Sequence, residues 1–283
     1  MKRIFYFFLA MCGLVGCSFK KAEAIQDDDT PAVQQESRVQ EILSKMTLKE
    51  KIAQMLMFDG SRHADKKSNT VVDEPIKNAI ETYGIGGIIL FRGALEGTEQ
   101  SLKFTSELQE ASMKSRLRVP LLISTDQEGG NVTRLQTGTE FPGNAALGAI
   151  NDPNVTEEVA GIISDELDAL GINVDFAPVL DINNNPDNPI IGVRSFSSDP
   201  GIVSNMGTAF VKGLHKNGIA VSLKHFPGHG NTDTDSHTGL PKIESTYEEL
   251  KNFELIPFES VLKNTDVDMI MTAHILYPNV EKE

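Results

Sequence analysis

Six apolar runs of strand length, at 52–58, 87–91, 121–125, 173–176, 220–223 and 267–272, constrain what this chain can fold into. Segments of helical period separate them, which is the mark of parallel strands joined by crossover helices. Helices are expected at 74–82, 98–115, 156–170, 202–217 and 247–263. In the third, Thr156 is placed to cap free N–H groups and Glu157 and Glu158 to complement the helix dipole, with Gly171 as the left-handed exit. Alternation of this kind gives an α/β fold, either an open doubly wound sheet or a closed barrel, and periodicity alone does not choose. The polar residues choose. Asp126, Asp175, Lys224 with His225, and His274 each follow the C-terminal end of a different strand, the ring of loops that a TIM (β/α)₈ barrel uses for function. Six βα units fall short of eight, so 37–283 reads as a barrel domain incomplete at its C-terminus.

The first residues bear on location. Lys2 and Arg3 precede an uncharged, mostly apolar run, 4–15, that closes at Leu14-Val15-Gly16-Cys17. About a dozen apolar residues are too few to span a bilayer as a helix, so 1–17 reads as a signal peptide with a lipobox, and Cys17 as the lipidated mature N-terminus. Cys12, the other cysteine of the chain, lies in the segment to be removed, which leaves no internal disulfide. Residues 18–36, polar and acidic, read as a flexible tether. The protein is therefore expected in the cell envelope, lipid-anchored to a membrane and facing the periplasm or the exterior. A net charge of −14 without a basic patch argues against nucleic acid as a partner.

The chemistry concentrates in 224–241, KHFPGHGNTDTDSHTGLP, which sets two cations at a strand end and then a loop bearing Asp233, Asp235 and His237. Gly228 and Gly230 give that loop conformational latitude, and Asp235 and His237, two apart, can meet in a carboxylate–imidazole hydrogen bond.

This segment resembles the signature of the β-N-acetylglucosaminidase branch of glycoside hydrolase family 3, in which an Asp-x-His pair on a loop serves as the acid/base. Further stretches are similar to the same family: Met46-Thr47-Leu48-Lys49-Glu50-Lys51-Ile52, Asp126-Gln127-Glu128-Gly129-Gly130 with Arg134, and Asn185-Pro186-Asp187-Asn188-Pro189 through Arg194-Ser195-Phe196. The likeness runs from about residue 44 to the end. Asn131 departs from it, standing where relatives commonly carry an arginine.

The resemblance implies that Asp126 holds two hydroxyls of the terminal sugar and that Arg134, Arg194, Lys224 and His225 line the same subsite. It makes His237 the general acid and then the base, oriented by Asp235. The expected reaction removes terminal non-reducing β-N-acetylglucosamine, or N-acetylhexosamine, from peptidoglycan fragments or other amino-sugar oligosaccharides, with retention and without a cofactor. The family's nucleophile, an Asp after the next strand, is expected beyond residue 283, together with a possible further C-terminal domain; Asp233, Asp266 and Asp268 do not occupy its position. His274, Arg92, Asp175 and Asp181 receive no role. Two other readings stay open: a sugar-binding lipoprotein without turnover, and a metal-dependent hydrolase using His225, His229, Asp233, Asp235 and His237. The spacing lacks a helical His-x-x-x-His pair or a Cys pair, so no metal ligand is assigned.

Overall fold

The computed structural model describes residues 31–62, 68–235, 237 and 239–281. The segments expected as signal peptide, with Cys17, and as tether as far as residue 30 lie outside the described residues. Within the tether's proposed range, residues 31–36 instead open helix α1 (Pro31–Lys45). Its sequence, PAVQQESRVQEILSK, is rich in helix formers behind an initial proline, and local propensity outweighs the polarity that suggested a tether. This helix falls in one compact unit, Met1–Lys45, and all that follows concerns the other, Met46–Glu283.

The second unit opens with α2 (Leu48–Gln54), which occupies part of the first expected strand. Thr47 accepts from the Glu50 N–H while the Glu50 carboxylate accepts from Thr47, and this capping box fixes a helix where apolar content suggested a strand. Only the end of the run becomes β1 (Met57–Asp59). The other strands sit where expected: β2 (Gly87–Ile89), β3 (Leu122–Thr125), β4 (Val174–Asp175), β5 (Ala220–Phe226) and β6 (Met269–Thr272). All pairings are parallel and the order is β1-β2-β3-β4-β5-β6. A doubly wound sheet reverses direction at a switch point, whereas a barrel wall adds each strand beside its predecessor. The unreversed order therefore decides the alternative that periodicity left open, in favour of a curled, barrel-type wall.

The connecting helices are α3 (Glu74–Asn78), continued by a π-helical turn (Ala79–Tyr83), then α4 (Thr98–Ser112), α5 (Asn144–Ile150), α6 (Pro153–Ala169), α7 (Pro200–His215), α8 (Tyr247–Asn252) and α9 (Ile256–Asn264). Helix α6 starts three residues before Thr156, because Asp152 caps it with Pro153 in the first turn; Thr156 is buried inside the helix, hydrogen-bonded to the Asp152 carbonyl. Its exit is as expected, with Gly171 at φ +68°. The segment expected as one helix at 247–263 breaks at Phe253, and Pro257 begins the second piece.

Ile88, Leu90, Ile123, Val221 and Leu223 are fully buried along the wall, in one core cluster with Ile163, Leu167, Val203 and Phe210 of α6 and α7. Burial of such side chains is worth roughly 1.5–3 kcal/mol each. That layer makes the wall a rigid base for the loops at its C-terminal rim.

Candidate active site

Asp126, Arg134, Arg194, Lys224, His225 and His237 line one cleft of about 460 Å³ at this rim. The sequence had scattered them over a hundred residues. A larger groove, about 670 Å³, runs along α4 beside Thr105, Gln109, Glu110 and Lys114.

Lys224 corrects the sequence reading. The expected strand stops at Leu223, yet β5 continues through Lys224, and that side chain is only 1% exposed. Leu223 pairs with Ile270 and Phe226 with Thr272, so Lys224 and His225 together oppose the single Met271. This bulge interrupts the two-residue alternation of a strand, and consecutive side chains both reach the cleft.

The buried ammonium is neutralised locally. Lys224 Nζ lies 2.8 Å from Asp126 Oδ1 and 2.6 Å from Glu128 Oε1. Arg194 grips the same Glu128 with two parallel bonds, Nε to Oε2 at 2.9 Å and Nη2 to Oε1 at 2.8 Å. Burial alone would raise the Glu128 carboxyl, but Lys224 and Arg194 outweigh it and hold it at about 2. Lys224 is raised in turn: burial opposes its charge, and Glu128 and Asp126 more than compensate. Glu128 is thus one of the residues whose role sequence reasoning missed. The available signal was two carboxylates two apart after a buried strand, facing two cations from other strand ends.

Arg134 approaches Asp126 Oδ2 at 3.4 Å and stacks over Phe91. Its Nε is buried and finds no hydrogen-bond partner among the described residues. Beneath, the fully buried Asp175 accepts the Gln127 N–H at 2.8 Å, and desolvation pushes its carboxyl up to about 7. Asp181, given no role from sequence, organises the next loop. Fully buried, it accepts from His225 Nδ1 and from the His229 backbone N–H, both at 2.6 Å. Desolvation would raise it, but His225 and the hydrogen bonds keep it below the usual range. With Nδ1 so engaged, His225 turns Nε2 toward Arg194 Nη2, 3.5 Å away.

Asp235 and His237 meet as their spacing suggested: Nδ1 lies 2.7 Å from Asp235 Oδ1, which also accepts the His237 N–H at 2.9 Å. The backbone bond first, and the imidazole second, hold the Asp235 carboxyl below its ordinary value. An ionised Asp235 assigns the proton to Nδ1 and leaves Nε2 for the cleft. Gly228 takes φ +148°, the latitude expected of it, whereas a Cβ on Gly230 would stand 1.7 Å from the Ile182 carbonyl oxygen, so glycine there permits close packing. Asp268 accepts from Val221 N and His215 at the opposite end of β5, away from this cleft. Among the described residues, no group of three or more His, Cys, Asp or Glu is arranged to hold a metal ion.

This chain is 39% identical over 250 residues to beta-hexosaminidase A of Pseudoalteromonas piscicida, covering 83% of this chain and 42% of that protein. It resembles the structure of a glycoside hydrolase family 3 beta-N-acetylglucosaminidase from Paenibacillus sp. str. FPU-7, with a TM-score of 0.79 and 46% identity over 84% of this chain and 44% of the other. NagZ from Neisseria gonorrhoeae, solved in complex with N-trifluoroacetyl-D-glucosamine, superposes with a TM-score of 0.71 at 33% identity, over 79% of this chain and 64% of the other. The chain thus spans less than two thirds of the length of these relatives. Residues 47–283 match the glycosyl hydrolase family 3 N-terminal domain, and the chain belongs to that family.

Proposed function

We propose that the cleft binds the terminal non-reducing β-linked N-acetylglucosamine of an amino-sugar oligosaccharide and that His237, oriented by Asp235, supplies acid/base catalysis for its hydrolysis with retention. The observation that carries this reading is a single cleft in which His237 stands with Asp126, Arg134, Arg194 and Lys224. Carboxylate and guanidinium groups at a barrel rim suit a polyol, which each can engage by charge-assisted hydrogen bonds. The names of the relatives, beta-hexosaminidase and beta-N-acetylglucosaminidase, support the same substrate class.

In this reading the His237 imidazolium gives its Nε2 proton to the departing oxygen as the sugar passes to a carboxylate nucleophile. The neutral imidazole then takes a proton from the water that releases the sugar. The nucleophile is assigned to an Asp beyond residue 283, and the described carboxylates of this chain keep the roles above. Peptidoglycan fragments are the proposed natural substrates, reached from a lipid anchor at Cys17.

His237→Ala in the full-length gene product should lose about 10²–10⁴-fold in turnover on a disaccharide. It should lose far less on an aryl glycoside whose leaving group barely needs a proton. Equal losses on both substrates would remove His237 from the acid's role. Fatty-acid labelling of cells should mark the wild-type protein and not Cys17→Ser; label in both, or in neither, would reject the anchor.

A further inference from the structure

Asn188 lies in the loop that follows β4, 8% exposed, and uses both ends of its amide. Its Oδ1 accepts from Ile190 N at 2.9 Å and from Ile191 N at 2.7 Å. Arg194 is fastened to the same short turn, through Nη1 to the Ile190 carbonyl at 3.1 Å and through its own N–H to the Ile191 carbonyl at 2.8 Å. The other end of the amide faces the second loop. Nδ2 donates to the His229 carbonyl at 2.9 Å, with the Gly230 carbonyl at 3.1 Å and Thr232 Oγ1 at 3.2 Å within reach of its second hydrogen. Thr232 Oγ1 also meets His229 Nδ1 at 2.7 Å, and Asn185 Nδ2 holds the Thr232 carbonyl at 3.1 Å. After Thr232 the chain emerges into solvent: Asp233 is exposed and the His237 side chain is 75% exposed. It is pinned again at Pro241, whose carbonyl accepts the Leu276 N–H, and at Ile243, whose N–H reaches the Leu276 carbonyl.

We propose that Asn188 is a positioning residue, one buried amide that fixes the Arg194 turn with its oxygen and the root of the Asp235/His237 loop with its nitrogen. The inference rests on the acid/base reading of His237 and adds how that histidine is set relative to the sugar-gripping arginine. A side chain of this size must offer donor and acceptor together. Aspartate keeps the acceptor but loses both donors, and turns a negative oxygen toward three oxygens of the second loop. Alanine loses both ends.

The two substitutions therefore separate the functions of the amide. Amide hydrogen exchange of Asn188→Asp should accelerate about tenfold or more across 229–240 while 190–196 stays as in wild type. Asn188→Ala should accelerate both segments. Thr232→Val, which removes one acceptor without adding charge, should loosen 229–240 alone and decides the matter should Asn188→Asp fail to fold. In the full-length gene product, Asn188→Asp should lower kcat on a disaccharide about tenfold more than on an activated aryl glycoside. A defect confined to folding would lower both alike. Unchanged exchange across 229–240 in Asn188→Asp, or equal losses on the two substrates, would overturn the proposal. A wild-type protein that cleaves neither substrate would sink the acid/base reading, and the exchange pattern alone would then decide the tether.

Discussion

Glu128→Gln tests the electrostatic floor of the cleft. The wild-type carboxylate, 2% exposed, receives Lys224 Nζ on one oxygen and the Arg194 fork on both. Glutamine nearly preserves the shape but presents an NH₂ group to one of two cations that have only donors to offer. Removing one partner of a buried pair costs about 3–5 kcal/mol, much of it from the charge left uncompensated. The pH dependence gives a sharper signature. A carboxyl at 4.5 in the unfolded chain and about 2 in the folded one stabilises by roughly 3 kcal/mol. Because the folded value is the lower, that stability is complete above the unfolded value and fades as pH falls toward the folded one. At pH 3 roughly 2 kcal/mol of it is already gone. Urea unfolding followed by circular dichroism at pH 7, 5 and 3, at constant ionic strength, should therefore show the gap between wild type and Glu128→Gln shrinking by about that amount. Other carboxylates titrate in both proteins and cancel in the difference. Parallel stability curves across this range would refute the assignment of Glu128 as the anion that holds Lys224 and Arg194.

Asp175 should show the opposite sign. Its folded carboxyl is raised to about 7, so stability is complete below the ordinary carboxylate value and declines as pH rises to the folded one. Asp175→Asn, which retains an acceptor for Gln127 N, should gain on wild type by up to about 4 kcal/mol between pH 3.5 and 8; a constant difference would exclude this role. Asp126→Ala should weaken calorimetric binding of N-acetylglucosamine by about a hundredfold or more, given two charge-assisted hydrogen bonds lost. Affinity within about threefold of wild type would separate Asp126 from the sugar.

The structure divides what was legible in the sequence by the range of the interactions involved. The wall of parallel strands was readable because each strand announces itself over four to seven adjacent residues, and Asp235 with His237 because a two-residue spacing brings them together without help from the fold. Errors arose where one local signal competed with another: the capping box at Thr47 and Glu50 turned an apolar run into a helix, and Asp152 displaced Thr156 as the cap of α6. Glu128, Asp181 and Asn188 were missed for a different reason. Each has partners at least 41 residues away in sequence, so no window contains both the side chain and all the groups that give it a task. The same distinction explains Lys224. A lysine beside an apolar run reads as the point where a strand meets water, since burying an unpaired ammonium is prohibitive. Asp126, 98 residues away, and Glu128 make that burial tolerable. Charge at a strand end is therefore best tested by asking which distant strand ends carry its opposite, a question that becomes answerable once the order of the strands is known.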